Sequence, residues 1–358
     1  MKILFYTRND FLINSGGDTI QITKTKEYLE QLGVKISIFT DSKFSVNNFD
    51  LIHVFNVIPI NPVYNFMKEH KQRKMALSPI YWNMEEYRKR VLDKVIIKRK
   101  IYNFLNKIPL VKQAADSKNL AKLTGINTNG MFDEKLLFCL NSAQILFPNS
   151  NAEKENLINE FRLTKKIEII PNGVDIKTEP EQFSKLKIKY NLPDEFILCV
   201  GRIEYRKNQL ELLKAATKLG VPVVLAGKIS RQEKKYFSLV EKYKFTHIPS
   251  LSQSEIFGLY LGCKAHVLPS WFETPGLASL EAAYFGAQIV TTDRGCTKEY
   301  FEDSVFYCSP ENSNSIEKAI ESALNCPKNM QKLRGKIIEN YTWEAAARKT
   351  FAAYESLV

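Results

Sequence analysis

The chain has 358 residues, 44% of them hydrophobic and 25% charged, and a formal net charge of +12 at pH 7. That length implies two or three domains, the composition is that of a soluble globular protein, and no apolar run approaches the roughly 18–20 residues needed to span a bilayer. The excess positive charge fits nucleic acid, an anionic membrane surface or phosphorylated small molecules, but no nucleic-acid motif or RGG-like tract is present.

Met1-Lys-Ile-Leu-Phe-Tyr-Thr-Arg8 is too short in its apolar part for a signal peptide and reads as a first strand, 3–6. Asn14-Ser-Gly-Gly-Asp18 follows it and opens a helix over 19–31 that stops near Gly33. Two glycines there allow a close backbone approach to an anion. The pattern is not G-x-G-x-x-G, and a plain tight turn fits it as well. Further strands are expected at 35–39, 51–55, 75–78 and 144–147, with His53 as a core or cleft-wall residue.

Residues 88–113 interleave basic residues such as Arg88, Lys94 and Lys100 with Val91, Ile97 and Phe104. Such a helix could lie on anionic lipid or pack on its own domain with a solvated basic face. Pro171-Asn-Gly-Val-Asp175 is a turn-rich break, followed by a polar stretch through Pro193. A second series then begins: strand 196–200, helix 208–219, strand 221–225, a helix around 232–243, strand 246–248, a short helix 254–261, and strands 265–268 and 288–292. Alternation from end to end argues an α/β protein with parallel sheets, and two doubly wound halves meet near 170–195. The helix candidate 343–357 need not belong to the second sheet. Six cysteines, Cys139, Cys199, Cys263, Cys296, Cys308 and Cys326, form no C-x-x-C pair. A reduced cytoplasm and no structural zinc are the simplest readings.

Chemistry is expected in the loops after strands. In Val200-Gly-Arg-Ile-Glu-Tyr-Arg-Lys-Asn208, Arg202 and Lys207 can converge on one dianion, the fork of one complementing the point charge of the other. The segment from Pro269 to Gly286 carries Glu273 and Glu281. Thr274 is expected as N-cap, Pro275 at the first helical position and Gly276 as open backbone. Leu277, Leu280, Glu281 and Tyr284 then share a face, which puts a carboxylate on an apolar stripe where it requires a polar partner. Were all of it helical, the two acids would stand roughly 12 Å apart, with a phosphate between them at the helix N-terminus. Separation along a helix axis disfavours a glycosidase acid–nucleophile pair.

At these residues the chain resembles retaining glycosyltransferases of family 4, with the GT-B fold. The ordered pieces are Gly16-Gly17, Pro171-Asn-Gly-Val-Asp175, Gly201-Arg202 with Lys207-Asn208, the Glu273 and Glu281 pair, and Tyr341-Thr-Trp343. The resemblance implies two Rossmann-like domains facing a deep cleft: 1–172 for the acceptor, 173–340 for the nucleotide sugar, and 341–358 as a helix packing back on the first domain. It implies that Arg202 and Lys207 hold the diphosphate, that Gly16 and Gly17 close over it, and that Glu281 accepts from ribose hydroxyls. Glu273 would face the transferred sugar, while Gly276 and Leu277 offer backbone N–H groups to a phosphate. Arg202, Lys207 and Glu273 are the catalytic candidates.

No metal and no cofactor are expected, because cations and helix dipoles neutralise the leaving group and nothing resembles a D-x-D site. Many members place a histidine at the end of a first-domain strand. Met75-Ala-Leu-Ser-Pro-Ile-Tyr-Trp82 has none, so Ser78 or Tyr81 is expected to make that contact. The resulting reading is a cytoplasmic, metal-independent, retaining transferase. It would move sugar from a nucleotide-diphosphate sugar to a glycan or lipid-linked acceptor in polysaccharide or glycoconjugate biosynthesis, with the 88–113 segment at an inner membrane face. A GT-B nucleotide-sugar epimerase is the competing enzyme, disfavoured by only four histidines. A non-catalytic nucleotide-sugar-binding partner of another transferase is disfavoured by the intact Arg202, Lys207, Glu273 and Glu281.

Overall fold

A computed structural model describes residues 1–13, 15–40, 45–92, 131–230 and 233–358. Most of the 88–113 segment, Asn14 of the glycine turn and Gln232 of the expected 232–243 helix lie outside them. Chain order in the first half is β1 Lys2–Tyr6, α1 Gly17–Gln31, β2 Lys35–Phe39, β3 Leu51–Phe55, α2 Ile60–Glu69, β4 Met75–Ser78, α3 Glu85–Tyr87, α4 Met131–Ser142, β5 Ile145–Leu146 and α5 Asn151–Phe161. The strands form one parallel sheet, ordered β2-β1-β3-β4-β5.

Alternation along these strands explains the layers, since successive side chains point to opposite faces. Leu4, Ile52, Val54 and Leu77 pack with Val63, Phe66 and Met67 of α2 and Leu136 and Leu140 of α4. Ile3, Phe5, Leu51 and Phe55 face the other way, onto Ile22 and Leu29 of α1. A parallel sheet needs both faces covered, hence the nearly continuous apolar strands.

The second half runs α6 Phe183–Tyr190, β6 Ile197–Val200, α7 Gln209–Leu219, β7 Val223–Ala226, α8 Lys234–Val240, β8 Thr246–Ile248, α9 Gln253–Gly262, β9 Ala265–Leu268, α10 Leu277–Tyr284, β10 Gln288–Thr292, α11 Thr297–Phe301, β11 Phe306–Cys308, α12 Ser313–Asn325, α13 Met330–Asn340 and α14 Trp343–Glu355. Its six parallel strands are ordered β11-β10-β9-β6-β7-β8. Phe196, Leu198 and Val224 meet Phe257, Leu280 and Ile337 on one face. Cys199, Leu225 and Val267 meet Leu212, Leu213 and Ile320 on the other.

The stretch expected to be polar through Pro193 contains helix α6. Its apolar stripe is only Phe183, Leu186 and Tyr190, but Leu186 is 1% exposed in the second core. Helix α14 leaves the second sheet and buries Trp343, Ala346, Ala347, Ala353 and Tyr354 against Ile3, Phe5 and Ile22 of the first. The two strands of chain joining the halves run side by side. Val174 and Thr342 form a parallel bridge, and Val174 N–H donates to Tyr341 O at 2.8 Å. Among the described residues no helix is long and apolar enough to cross a membrane.

Candidate functional site

Both sheets end at a cleft of about 1580 Å³ between the halves. This exceeds the roughly 300–1,000 Å³ of an ordinary small-molecule pocket, leaving room for two substrates. The first half contributes Gly16, Gly17, Asn56, Ile80 and Tyr87 to its walls; the second contributes Arg202, Lys207, Glu273, Gly276, Leu277 and Glu281. Lys228, Pro249, Ser250 and Leu251 line it as well.

The loop after β6 is stapled so that its cations face inward. Asn208 takes the left-handed region, φ 61°, and its Nδ2 donates to Pro269 O at 3.1 Å and Pro310 O at 2.9 Å. Gln209 Nε2 donates to Arg202 O at 2.9 Å, and Trp271 N–H donates to Arg206 O at 2.8 Å. Lys207 Nζ therefore lies 2.6 Å from Glu273 Oε1. Arg206 Nη1 stands 3.7 Å from the same oxygen, its guanidinium over the Phe272 ring. Arg202 Nε pairs with Glu204 at 3.3 Å. A Cβ built on Gly16 would stand 3.7 Å from Arg202 Nη1, and one on Gly17 3.8 Å from Leu277 Cδ1. The glycine turn of the first half thus faces the basic loop of the second across the cleft.

Burial drives Lys207 below the usual lysine range, and Glu273 opposes it while Arg206 adds a like charge. Burial also pushes Glu273 upward, but Lys207 and Arg206 together hold it below the usual carboxylate range. Two cations on one carboxylate account for the asymmetry. Glu281 is 7% exposed. Burial raises it to about 7, opposed by the Tyr260 hydroxyl, which donates to Oε2 at 3.4 Å.

Helix α10 starts later than the sequence suggests. Thr274 is not its cap and Pro275 is not its first residue: the Thr274–Pro275 peptide is cis, and Gly276, at φ 87°, is the N-cap. Glu273 therefore precedes the helix, bridged to Gly295 in the loop after β10, with Cys296 N–H donating to Glu273 O at 3.0 Å. Gly295 is required at that crossing, because a Cβ there would meet Glu273 O at 2.0 Å. Replacing Gly276 by alanine is expected to destabilise the chain by about 1 kcal/mol or more. The added Cβ would stand 3.4 Å from Glu273 Cβ, an ordinary contact, so the cost is that of the left-handed backbone. Chemical denaturation of G276A checks this; an unchanged midpoint would contradict the left-handed cap.

Ser78 and Tyr81 do not reach the cleft. Ser78 Oγ hydrogen-bonds His53 Nε2 at 2.9 Å, and Tyr81 Oη donates to Glu160 at 2.5 Å. The chain turns at Ile80, φ 52°, so that Ile80 lines the wall instead. His53 is a core residue, 2% exposed, with Tyr354 on its other nitrogen. Burial keeps it neutral.

Three cleft residues escape a motif search. Arg206 sits beside Lys207 in the same loop and differs only in being the third cation there. Glu204 partners both arginines. Glu233, raised by burial to about 7, accepts from Tyr205 N–H, a tertiary contact with no local signal. Among the described residues no group of three or more His, Cys, Asp or Glu side chains could hold a metal ion.

Residues 180–342 match the family model described as glycosyl transferases group 1. A serotype-specific mannosyltransferase WbdA of Escherichia coli is 34% identical over 158 residues, 40% of this chain. The match covers 19% of the length of that relative. Sucrose-phosphate synthase from Thermosynechococcus elongatus superposes with a TM-score of 0.78 at 16% identity, over 100% of this chain and 99% of the other. Anabaena HepE in complex with UDP and glucose superposes at 0.66 and 17% identity, over 100% of both chains.

Proposed function

Since its residues 180–342 belong to the glycosyl transferases group 1 and its two sheets adopt the GT-B arrangement, we propose that the chain is a retaining, metal-independent glycosyltransferase. It moves a sugar from a nucleoside-diphosphate sugar to a glycan or lipid-linked acceptor in polysaccharide or glycoconjugate biosynthesis. The observation that carries the reading is the convergence of Arg202, the Lys207–Glu273 pair and the Gly16-Gly17 turn on one cleft.

The diphosphate lies between Arg202 and Lys207, with the N–H groups of Gly276 and Leu277 at the start of α10 directed to its oxygens. The base lies near Lys228 and Pro249–Leu251, and the ribose on Glu281. As the bond to the sugar breaks, negative charge grows on the leaving phosphate, and the fixed cations stabilise it more than they do the ground state. The acceptor hydroxyl attacks on the face the phosphate leaves, its proton passing to that phosphate. Retention follows without a protein nucleophile. Glu273, held ionised by Lys207 and Arg206, accepts from sugar hydroxyls and keeps Lys207 aimed at the phosphate.

A thermal-shift screen of UDP, GDP and ADP with their sugars tests the donor site, because a ligand that binds only the folded state raises stability by about 2.7 kcal/mol at 100 times its Kd. One base is expected to raise the melting temperature far more than the others. No shift from any nucleotide at millimolar concentration would overturn the reading. A nucleotide sugar isomerised without any acceptor would replace it with an epimerase.

A further inference from the structure

Helix α5 of the first half leaves two backbone donors unmet by its own half. Its N-cap Ser150 takes the Glu153 N–H at 3.0 Å, so the N–H groups of Asn151 and Ala152 remain. A side chain from the second half meets both. Glu299 Oε1 accepts from Asn151 N–H at 2.9 Å and from Asn151 Nδ2 at 3.0 Å, and Oε2 accepts from Ala152 N–H at 3.1 Å. A carboxylate at a helix N-terminus also complements the helix dipole. Beside it Tyr300 Oη donates to Asn149 O at 2.7 Å and accepts from Asn172 N–H at 3.2 Å.

Both ends of this contact lead into the cleft. Glu299 lies on α11, whose N-cap Cys296 donates its N–H to Glu273 O. On the other side, Glu153 follows Ala152 in the same turn of α5. It is fully buried and accepts the Tyr81 and Asn149 N–H groups at 2.7 Å each. Tyr81 adjoins Ile80, whose left-handed backbone puts it on the cleft wall. One helical turn is thus held by the half that carries Glu273 and itself holds the opposite wall.

We propose that Glu299 is a positioning residue: by capping α5 across the joint it sets the angle at which the two cleft walls face each other. The catalytic arm of its test rests on the glycosyltransferase reading; the geometric arm does not. Spin labels on exposed Asn48 and Ser238, with exposed Cys326 replaced by serine, report the separation of the halves in the full chain. E299A is expected to broaden that distance distribution, and E299Q, which keeps one acceptor oxygen, to lie between it and wild type. The affinity for UDP or GDP, whichever the wild type binds, should stay within about two-fold, since Glu299, Asn151 and Ala152 do not line the cleft. Turnover of the matching nucleotide sugar should fall about 10-fold at unchanged donor KM, because small misplacements of reacting groups are costly. An E299A distribution identical to wild type would overturn the proposal, as would nucleotide affinity and turnover falling together. If E299A broadens while wild type turns over no nucleotide sugar, the joint stands and the transferase reading fails.

Discussion

Lys207→Ala is expected to slow sugar transfer by about 100-fold, the loss typical of removing one preorganised donor from a developing anion. Arg202→Ala should cost about as much, although only Lys207→Ala should also unfold the chain more easily. Lys207 and Glu273 are both deeply buried, with side chains 13% and 5% exposed. Removing one member of such a pair leaves a buried charge and costs about 3–5 kcal/mol. Arg206, 3.7 Å from Glu273, keeps the cost toward the lower end. Arg202 is 38% exposed and leaves behind Glu204, which retains Arg206.

The acid limb of stability separates the two effects. Lys207 and Arg206 hold Glu273 below the usual range. This group therefore contributes stability above its unfolded pKa and loses it as pH falls through its folded one. In K207A much of that contribution is already gone, so its melting temperature should fall less steeply in acid than that of wild type. K207A/E273Q should recover part of the lost stability and none of the transfer. Steady-state rates with the preferred nucleotide sugar, beside melts from pH 3 to 8, check both. Losses below a few-fold for both R202A and K207A would remove these cations from the mechanism.

The second half's share of the cleft wall was legible because its residues lie in local stretches of sequence. Arg202 and Lys207 stand in one loop and Gly276, Leu277 and Glu281 in one helix start, so spacing alone brings each set to a strand end. Buried strands such as 51–55 and 265–268 are short apolar runs of the expected length, and the structure keeps those bounds. What was not legible depends on a single turn or on distant partners. A left-handed Gly276 as N-cap moves the start of α10 by two residues, and no periodicity records that. Ser78 and Tyr81 point away from the cleft because Ile80 is left-handed and Glu153, 72 residues along, draws in the Tyr81 N–H. Helices α12 and α13 fall between the expected strand 288–292 and the helix candidate 343–357, where no element is expected. Ser313–Asn325 nonetheless carries the apolar spacing Ile316, Ala319, Ile320 and Ala323.

Glu281→Gln is expected to stabilise the chain while weakening its hold on nucleotide. Burial lifts the Glu281 carboxyl from 4.5 to about 7. The folded chain therefore retains a proton that the unfolded chain has lost between those values, and above about 7 it bears the cost of a buried charge. Removing that charge should raise stability at pH 8 by on the order of 2–3 kcal/mol, with the gain fading toward pH 4.5 and below. The same substitution removes the ionised acceptor for ribose hydroxyls. A hydrogen bond to a charged group contributes roughly 1.5–3 kcal/mol, so nucleoside-diphosphate affinity should drop about 10- to 100-fold at pH 8. Wild-type affinity should decline as pH falls below about 7, as the carboxyl takes up its proton, while that of E281Q stays level. Calorimetric titration with UDP and GDP at pH 6 and 8 reads the binding arm, and urea unfolding reads the other. If E281Q is less stable than wild type at pH 8, the carboxylate has a folded-state partner stronger than Tyr260. If its affinity is unchanged, Glu281 does not hold the ribose, and its place on the apolar face of α10 serves the fold alone.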